Sequence, residues 1–134
     1  MKHILTCSFG KDSIATALLA LQHGEPLDEL VYSEVMFSDT VSGELPEHKR
    51  FIYETAIPYF EKRGIPTRVL RGQKTYLDCF YRIVSCGNAE GKLASFPLTG
   101  RCSIQRDCKL PPIRTYQKTL PQDTVYYLGI AADE

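Results

Sequence analysis

Short apolar runs alternate with helical patterns along almost the whole chain, and this alternation limits the fold more than any other feature. Ile4-Leu5-Thr6 begins a run that stops at Cys7-Ser8-Phe9-Gly10, which reads as a buried strand. From Ser13 the period changes: Ile14, Leu18 and Leu21 fall at i, i+4 and i+7 among alanines, with Gly24 as a stop. Leu30 to Phe37 returns to strand character, Asp39 to Leu45 reads as a loop, and Pro46 suits the first turn of a second helix. That helix has Ile52, Ala56, Tyr59 and Phe60 on its apolar face, and Pro58 should kink or shorten it. Thr67–Leu70 predicts a third strand, and Leu77, Phe80 and Val84 a short helix. Residues 85–100, with three glycines and a proline, predict a long loop. Residues 101–120 read as helical in parts, interrupted by Pro111-Pro112, and Val125–Ile130 as a fourth strand.

Strands that are nearly all apolar, separated by helices, imply a parallel sheet covered on both sides. The expected fold is therefore α/β, a Rossmann-like parallel sheet of about four to five strands with helices on both faces. The 134 residues suit one domain, 1–134. In such sheets ligands bind beyond the carboxyl ends of the strands, where the strand order reverses. Residues 8–13, 37–43 and 129–134 should therefore meet at one sheet edge.

Charge narrows the partners. Lys and Arg number 16 and Asp and Glu 16, so the chain lacks the basic excess of a dedicated nucleic-acid binder. The balance is local. Residues 25–47 hold seven acids and no Lys or Arg, whereas residues 101–118 hold Arg101, Arg106, Lys109, Arg114 and Lys118 against Asp107 alone. A local basic cluster in a neutral chain suits a small anionic ligand or a solvated face. No apolar stretch approaches the roughly 20 residues that span a bilayer, and the short apolar start before Gly10 is not a signal peptide. A cytoplasmic protein without membrane association is expected. The five cysteines (Cys7, Cys79, Cys86, Cys102, Cys108) then argue against a disulfide framework, with buried thiols, a metal site or redox chemistry as the alternatives. None has C-x-x-C spacing, so neither zinc nor an iron–sulfur centre is expected, and no residue is assigned as a metal ligand.

Ser8-Phe9-Gly10-Lys11-Asp12-Ser13, between the first strand and the first helix, carries the chemistry. The opening amides of a helix have no internal partner, and the macrodipole adds about half a positive charge there. Gly10 allows close backbone approach, Ser8 and Ser13 offer hydroxyls, and Lys11 adds a point charge. A bland alternative is a turn whose Ser or Asp caps the helix. The segment matches neither G-x-x-x-x-G-K-[ST] nor G-x-G-x-x-G, which disfavours ordinary P-loop kinases and dinucleotide-binding dehydrogenases.

This hexapeptide resembles the Ser-Gly-Gly-x-Asp-Ser loop of the PP-loop adenine nucleotide alpha hydrolase superfamily, and most closely its phosphoadenosine phosphosulfate (PAPS) reductase-like branch. Three further segments resemble that branch in order: Phe37–Glu47 its Asp-Thr-Gly…Pro-Glu stretch, Arg101–Pro112 its Cys…Leu-Lys…Pro segment, and Tyr127–Glu134 its Gly-Ile-Arg…Asp-Glu ending. Three departures stand out. Phe9 replaces the first glycine, Ala131 stands where arginine is common, and Gly43 is displaced from Asp39-Thr40.

The resemblance implies ATP or a PAPS-type adenine nucleotide as ligand, with magnesium. The phosphates would lie on Ser8, Phe9, Gly10, Lys11, Asp12 and Ser13, and the adenine near Phe37, Asp39 and Thr40. Lys109 and Gly129 complete the expected binding set, and Lys11 and Asp12 are the expected catalytic residues. The implied reaction is cleavage between the alpha and beta phosphates with adenylyl transfer to an acceptor, nucleic acid entering only as a modified substrate. Sulfonucleotide reduction comes second, because the Cys-Gly-x-His tail that carries the reductases' nucleophile does not occur in these residues. A third reading is a non-catalytic nucleotide-binding module, completed by a partner subunit or in a homodimer.

Overall fold

The structure is a computed structural model that describes residues 1–96 and 102–131. Four strands form one sheet in the order β3-β2-β1-β4, and every neighbouring pair is parallel: β1 (His3–Thr6), β2 (Glu29–Ser33), β3 (Thr67–Leu70) and β4 (Val125–Tyr127). The α/β sheet and the strand count agree with the alternation in the sequence. Leu5 pairs with Leu30, and Cys7 and Tyr32 continue the same face. Against that face pack α1 (Lys11–His23) and the helix after β2, giving a core of Leu5, Leu30, Tyr32, Ala17, Ile52 and Phe60. The opposite face of β2 carries Glu29, Val31 and Ser33 and meets α5 (Leu110–Gln117), where Ser33 Oγ donates to the Lys109 carbonyl at 2.9 Å. Helices thus cover both faces, and β2 is buried throughout.

Helix α1 runs to His23, and Gly24, at φ 67°, closes it with its N–H on the Leu21 carbonyl. Its packed face differs from the expected one. Ser13, Ala17 and Ala20 are buried, with Ile14 and Leu21 beside the core, while Leu18 faces out. Small residues let the helix axis come close to the sheet, leaving no room for a leucine underneath.

The prolines follow the sequence reading in part. Pro46 begins α2 (Pro46–Phe51), as expected. Between α2 and α3 (Ile57–Glu61), Ile52–Ala56 forms a wider π turn immediately ahead of Pro58. Residues 105–109 do the same ahead of Pro111-Pro112, so the helix continues through that pair instead of being interrupted. A proline lacks the N–H that an α turn requires and collides with the carbonyl four residues back. The wider turn relieves both problems without ending the helix.

The second strand stops at Ser33, short of Phe37. Glu34 follows, completely buried, with its carboxylate accepting from Tyr53 Oη at 2.9 Å and Arg71 Nη2 at 3.0 Å. The Glu34 N–H still donates to the Leu70 carbonyl of β3 at 2.8 Å, and beyond it Met36 pairs antiparallel with Ser42. The fourth strand ends at Tyr127, before Ile130, and α4 (Tyr76–Phe80) stops short of Val84. Residues 97–101 of the long loop, with Arg101, and residues 132–134 lie outside the described residues.

A second buried acid ties three elements together. Glu29 accepts from Lys2 Nζ and Arg68 Nε, each at 2.6 Å, and from the Tyr116 hydroxyl. Burial opposes its ionisation, but the hydrogen bonds from Lys2, Tyr116 and Arg68 outweigh it and hold the carboxyl below its ordinary 4.5. A folded pKa below the unfolded one stabilises at pH values above 4.5, and that contribution is lost as pH falls through the folded pKa. Lys2 and Arg68 are partly exposed, so solvent moderates the cost of losing their partner. Glu29→Gln is expected to cost about 1–2 kcal/mol at neutral pH. Urea denaturation of both proteins should show the difference shrinking with acidification below pH 4.5.

Candidate functional site

Strands β1, β2 and β3 advance across the sheet in one direction, and the return to β4 places the reversal of order between β1 and β4. Beyond the carboxyl ends of these strands lies a cavity of about 1080 Å³. The loop after β1 forms its floor: Ser8, Gly10, Lys11, Asp12 and Ser13 all line it. Gly10 is extended at φ −75° and no side chain caps α1, so the first-turn amides keep no side-chain acceptor. Neither serine acts as the cap. Ser13 Oγ donates to the Gly10 carbonyl at 3.1 Å, and Ser8 Oγ lies 3.5 Å from Ser13 Oγ. Lys11 is exposed at the cavity, and among the described residues it forms no ion pair.

Phe9 is the exception in the loop. Its side chain is 1% exposed, points into the core and meets Tyr32 edge-on at 5.4 Å. Its φ of 58° is a left-handed conformation ordinarily given to glycine. The expected ligand contact at Phe9 therefore reduces to its backbone.

The remaining sequence candidates divide. Phe37, Lys109 and Gly129 line the same cavity as the Ser8–Ser13 loop. Asp39 does not: it borders a second cavity of about 540 Å³, with Lys74 and Arg82. Thr40 is exposed and borders neither. The turn that returns Phe37 N–H to the Val41 carbonyl swings Asp39-Thr40 away from the first cavity. Asp133 and Glu134 fall outside the described residues.

The tertiary structure adds residues that carry no local signature. Tyr32, buried in β2, donates to Glu44 Oε1 at 3.0 Å; burial and the Glu44 carboxylate push its phenol up, so it remains a donor. Tyr76 and Phe96 form an aromatic wall with Phe37, at centroid distances of 6.2 and 6.0 Å. Gln105 and Cys102 close the far side, with the Gln105 N–H 3.4 Å from Cys102 Sγ. His48, on α2, brings Nε2 to 3.4 Å from the Ser8 carbonyl. Of these, Glu44 lies in the Phe37–Glu47 segment and Cys102 and Gln105 in the Arg101–Pro112 segment that carry the resemblance, whereas Tyr32, Tyr76, Phe96 and His48 had no such signal.

The thiols fall into two groups. Cys7 is buried beneath the loop, and burial pushes its thiol up, against a nucleophilic role. Cys79 and Cys108 are buried together, while Cys86 and Cys102 are exposed. Among the described residues, no three His, Cys, Asp or Glu side chains converge to hold a metal by themselves. Magnesium bound chiefly through phosphate oxygens needs only one or two carboxylates, and Asp12 and Glu44 at the cavity fit that requirement.

Gly129 fixes how closely the segment after β4 passes α1. A Cβ there would lie 2.8 Å from Thr16 Oγ1 and 2.9 Å from the Asp12 carbonyl oxygen, which already accepts from Thr16. Gly129→Ala is expected to destabilise by about 1–3 kcal/mol by overpacking. Thermal denaturation measures it, and an unchanged midpoint would mean that the two segments are not in contact.

No family model, curated protein or solved structure matches this chain. Its function has to be read from residues and geometry. The described residues contain no helix long and apolar enough to cross a membrane.

Proposed function

We propose that this chain is an adenine-nucleotide-binding enzyme of the PP-loop, PAPS reductase-like kind, cleaving ATP between the alpha and beta phosphates and transferring the adenylyl group. One observation carries the reading: an uncapped helix start bearing Gly10, Lys11 and Ser13 opens at the reversal of a parallel sheet onto a cavity large enough for a nucleotide. The phosphates lie on the Ser8–Ser13 loop, and the aromatic wall of Phe37, Tyr76 and Phe96 offers the base a stacking surface. An acceptor oxygen or nitrogen attacks the alpha phosphorus, the bond to the bridging oxygen breaks, and pyrophosphate leaves. Lys11 and the Lys11–Ser13 amides offset the charge that grows on the leaving group. Magnesium, held by phosphate oxygens with Asp12, would neutralise polyphosphate charge. Lys109 extends the positive lining at the opposite wall.

Calorimetric titration with ATP and magnesium tests binding, and pyrophosphate release tests the reaction. No heat with ATP, AMP or adenylylsulfate would end the reading. Heat without pyrophosphate under any acceptor would favour a binding module completed by a partner subunit.

A second reading, sulfonucleotide reduction, is favoured by Cys102, an exposed thiol on the cavity wall. Its thiolate would attack the sulfonyl sulfur, the sulfur–oxygen bond to the nucleotide would break, and a second thiol would release sulfite from the S-sulfocysteine. Sulfite formation from adenylylsulfate with a thiol donor should then vanish in Cys102→Ser. Equal output from that variant removes Cys102 from the mechanism.

A further inference from the structure

Two buried thiols lie against each other in a part of the fold that the proposed reaction does not use. Cys79, on α4, is 2% exposed, and Cys108, in the π turn before α5, is fully buried. Their sulfurs are 3.5 Å apart, although 29 positions separate them in sequence. Ile104, Val35 and Tyr76 pack around the pair. Tyr76 and Ile104 also line the large cavity, so the sulfurs meet directly behind two of its walls.

The two thiols differ in access. Cys79 borders the second cavity, whose rim includes Lys74 and Arg82. Asp39, Asp78 and Asp107 line it as well: Asp78 is engaged by the Thr75 N–H and Asp107 by Arg106, while Asp39, Lys74 and Arg82 form no ion pair among the described residues. This opening, lined by charges of both signs, gives a small reagent a route to Cys79. Cys108 has no such access. Burial and its contact with Cys79, with Asp107 and Asp78 adding to them, push its thiol up to about 12.

We propose that Cys79 and Cys108 form a reversible disulfide by exchange with a small disulfide of the oxidised-glutathione type. The Cys79 thiolate enters from the second cavity and attacks one sulfur of the reagent. A bond forms at Cys79 Sγ, the reagent's own sulfur–sulfur bond breaks, and one thiol leaves with a proton. Cys108, losing its proton as it attacks, bonds to Cys79 Sγ and expels the second thiol. Two protein thiols are oxidised to one disulfide and the reagent is reduced to two thiols. The sulfurs must close from 3.5 Å to about 2.05 Å. Helix α4 can supply that movement, since it has only five residues and is fixed at its start by the Thr75–Asp78 capping box. The bridge would join the two walls of the large cavity and close the loop between them. It does not depend on what the cavity binds.

The test exposes reduced wild-type protein to oxidised glutathione, blocks remaining thiols under denaturing conditions and maps peptides by mass. A Cys79–Cys108 linked peptide that dithiothreitol removes is expected, with the thermal midpoint raised by on the order of 5 °C. Cys108→Ser should retain one glutathione on Cys79. Recovery of both Cys79 and Cys108 as blocked thiols, or a bridge confined to Cys86 and Cys102, overturns the proposal. A Cys86→Ser, Cys102→Ser double variant changes only exposed positions and should give the same linked peptide, which keeps the test decisive if Cys108→Ser does not fold.

Discussion

Lys11→Ala is expected to lower pyrophosphate release from ATP by about 10²–10³-fold, the usual loss when one preorganised group that stabilises transition-state charge is removed. Lys11 stands at the start of α1, exposed at the cavity and unpaired among the described residues, so its removal leaves no buried charge behind. Stability should therefore change by less than about 0.5 kcal/mol, as for other surface substitutions. The separation of the two effects is the point of the experiment. Steady-state release, nucleotide titration and a thermal melt on the same two proteins measure it. A variant that releases pyrophosphate at the wild-type rate removes Lys11 from the reaction. Lys11→Arg should recover less than the conservative charge suggests, because a planar guanidinium fork and a compact ammonium present their charge to a phosphate in different geometries.

The largest effect on stability is expected at Phe9. Phe9→Ala should destabilise by about 3–5 kcal/mol, since the ring is 1% exposed and packs edge-on against Tyr32. Phe9→Gly separates packing from backbone conformation. It loses the same ring, but it relieves the φ of 58°, which costs a non-glycine residue roughly 1 kcal/mol. The expected order of stability is wild type, then Gly, then Ala, read from urea midpoints at constant slope. If Gly falls below Ala, the left-handed conformation stores no strain. The consequence reaches the site. Phe9 pins the loop to Tyr32, and the Tyr32 hydroxyl holds Glu44 at the cavity, so the glycine variant should bind nucleotide more weakly even where it remains folded.

Phe9 also shows how a left-handed position in this loop is held without glycine. The conformation that glycine supplies freely is kept here by a residue whose ring burial offsets the strain. The hexapeptide supports the expectation of an anion cradle, yet gives no indication that one of its members, Phe9, belongs to the core. Its strand–turn–helix context was visible; the direction of the Phe9 side chain was not.

What the sequence settled by itself is whatever short-range chemistry decides. Hydrophobic period distinguishes β1, β2 and β3 from α1, and the third strand is found at Thr67–Leu70 as read. Gly24 closes α1 because only a left-handed residue satisfies its last carbonyls, and Pro46 begins α2 because that position has no amide bond to lose. Loop residues 8–13 meet Gly129 because parallel connections bring the carboxyl ends of β1 and β4 together. Only the tertiary structure decided the rest. Glu34 can be buried just past β2 because Tyr53 and Arg71, from other elements, satisfy its carboxylate. Asp39 turns away from Lys11, and Tyr76 and Phe96 reach the cavity through a crossover whose local sequence has no reason to reveal it. Contacts between distant segments depend on where the chain returns, and no window along the sequence contains that information.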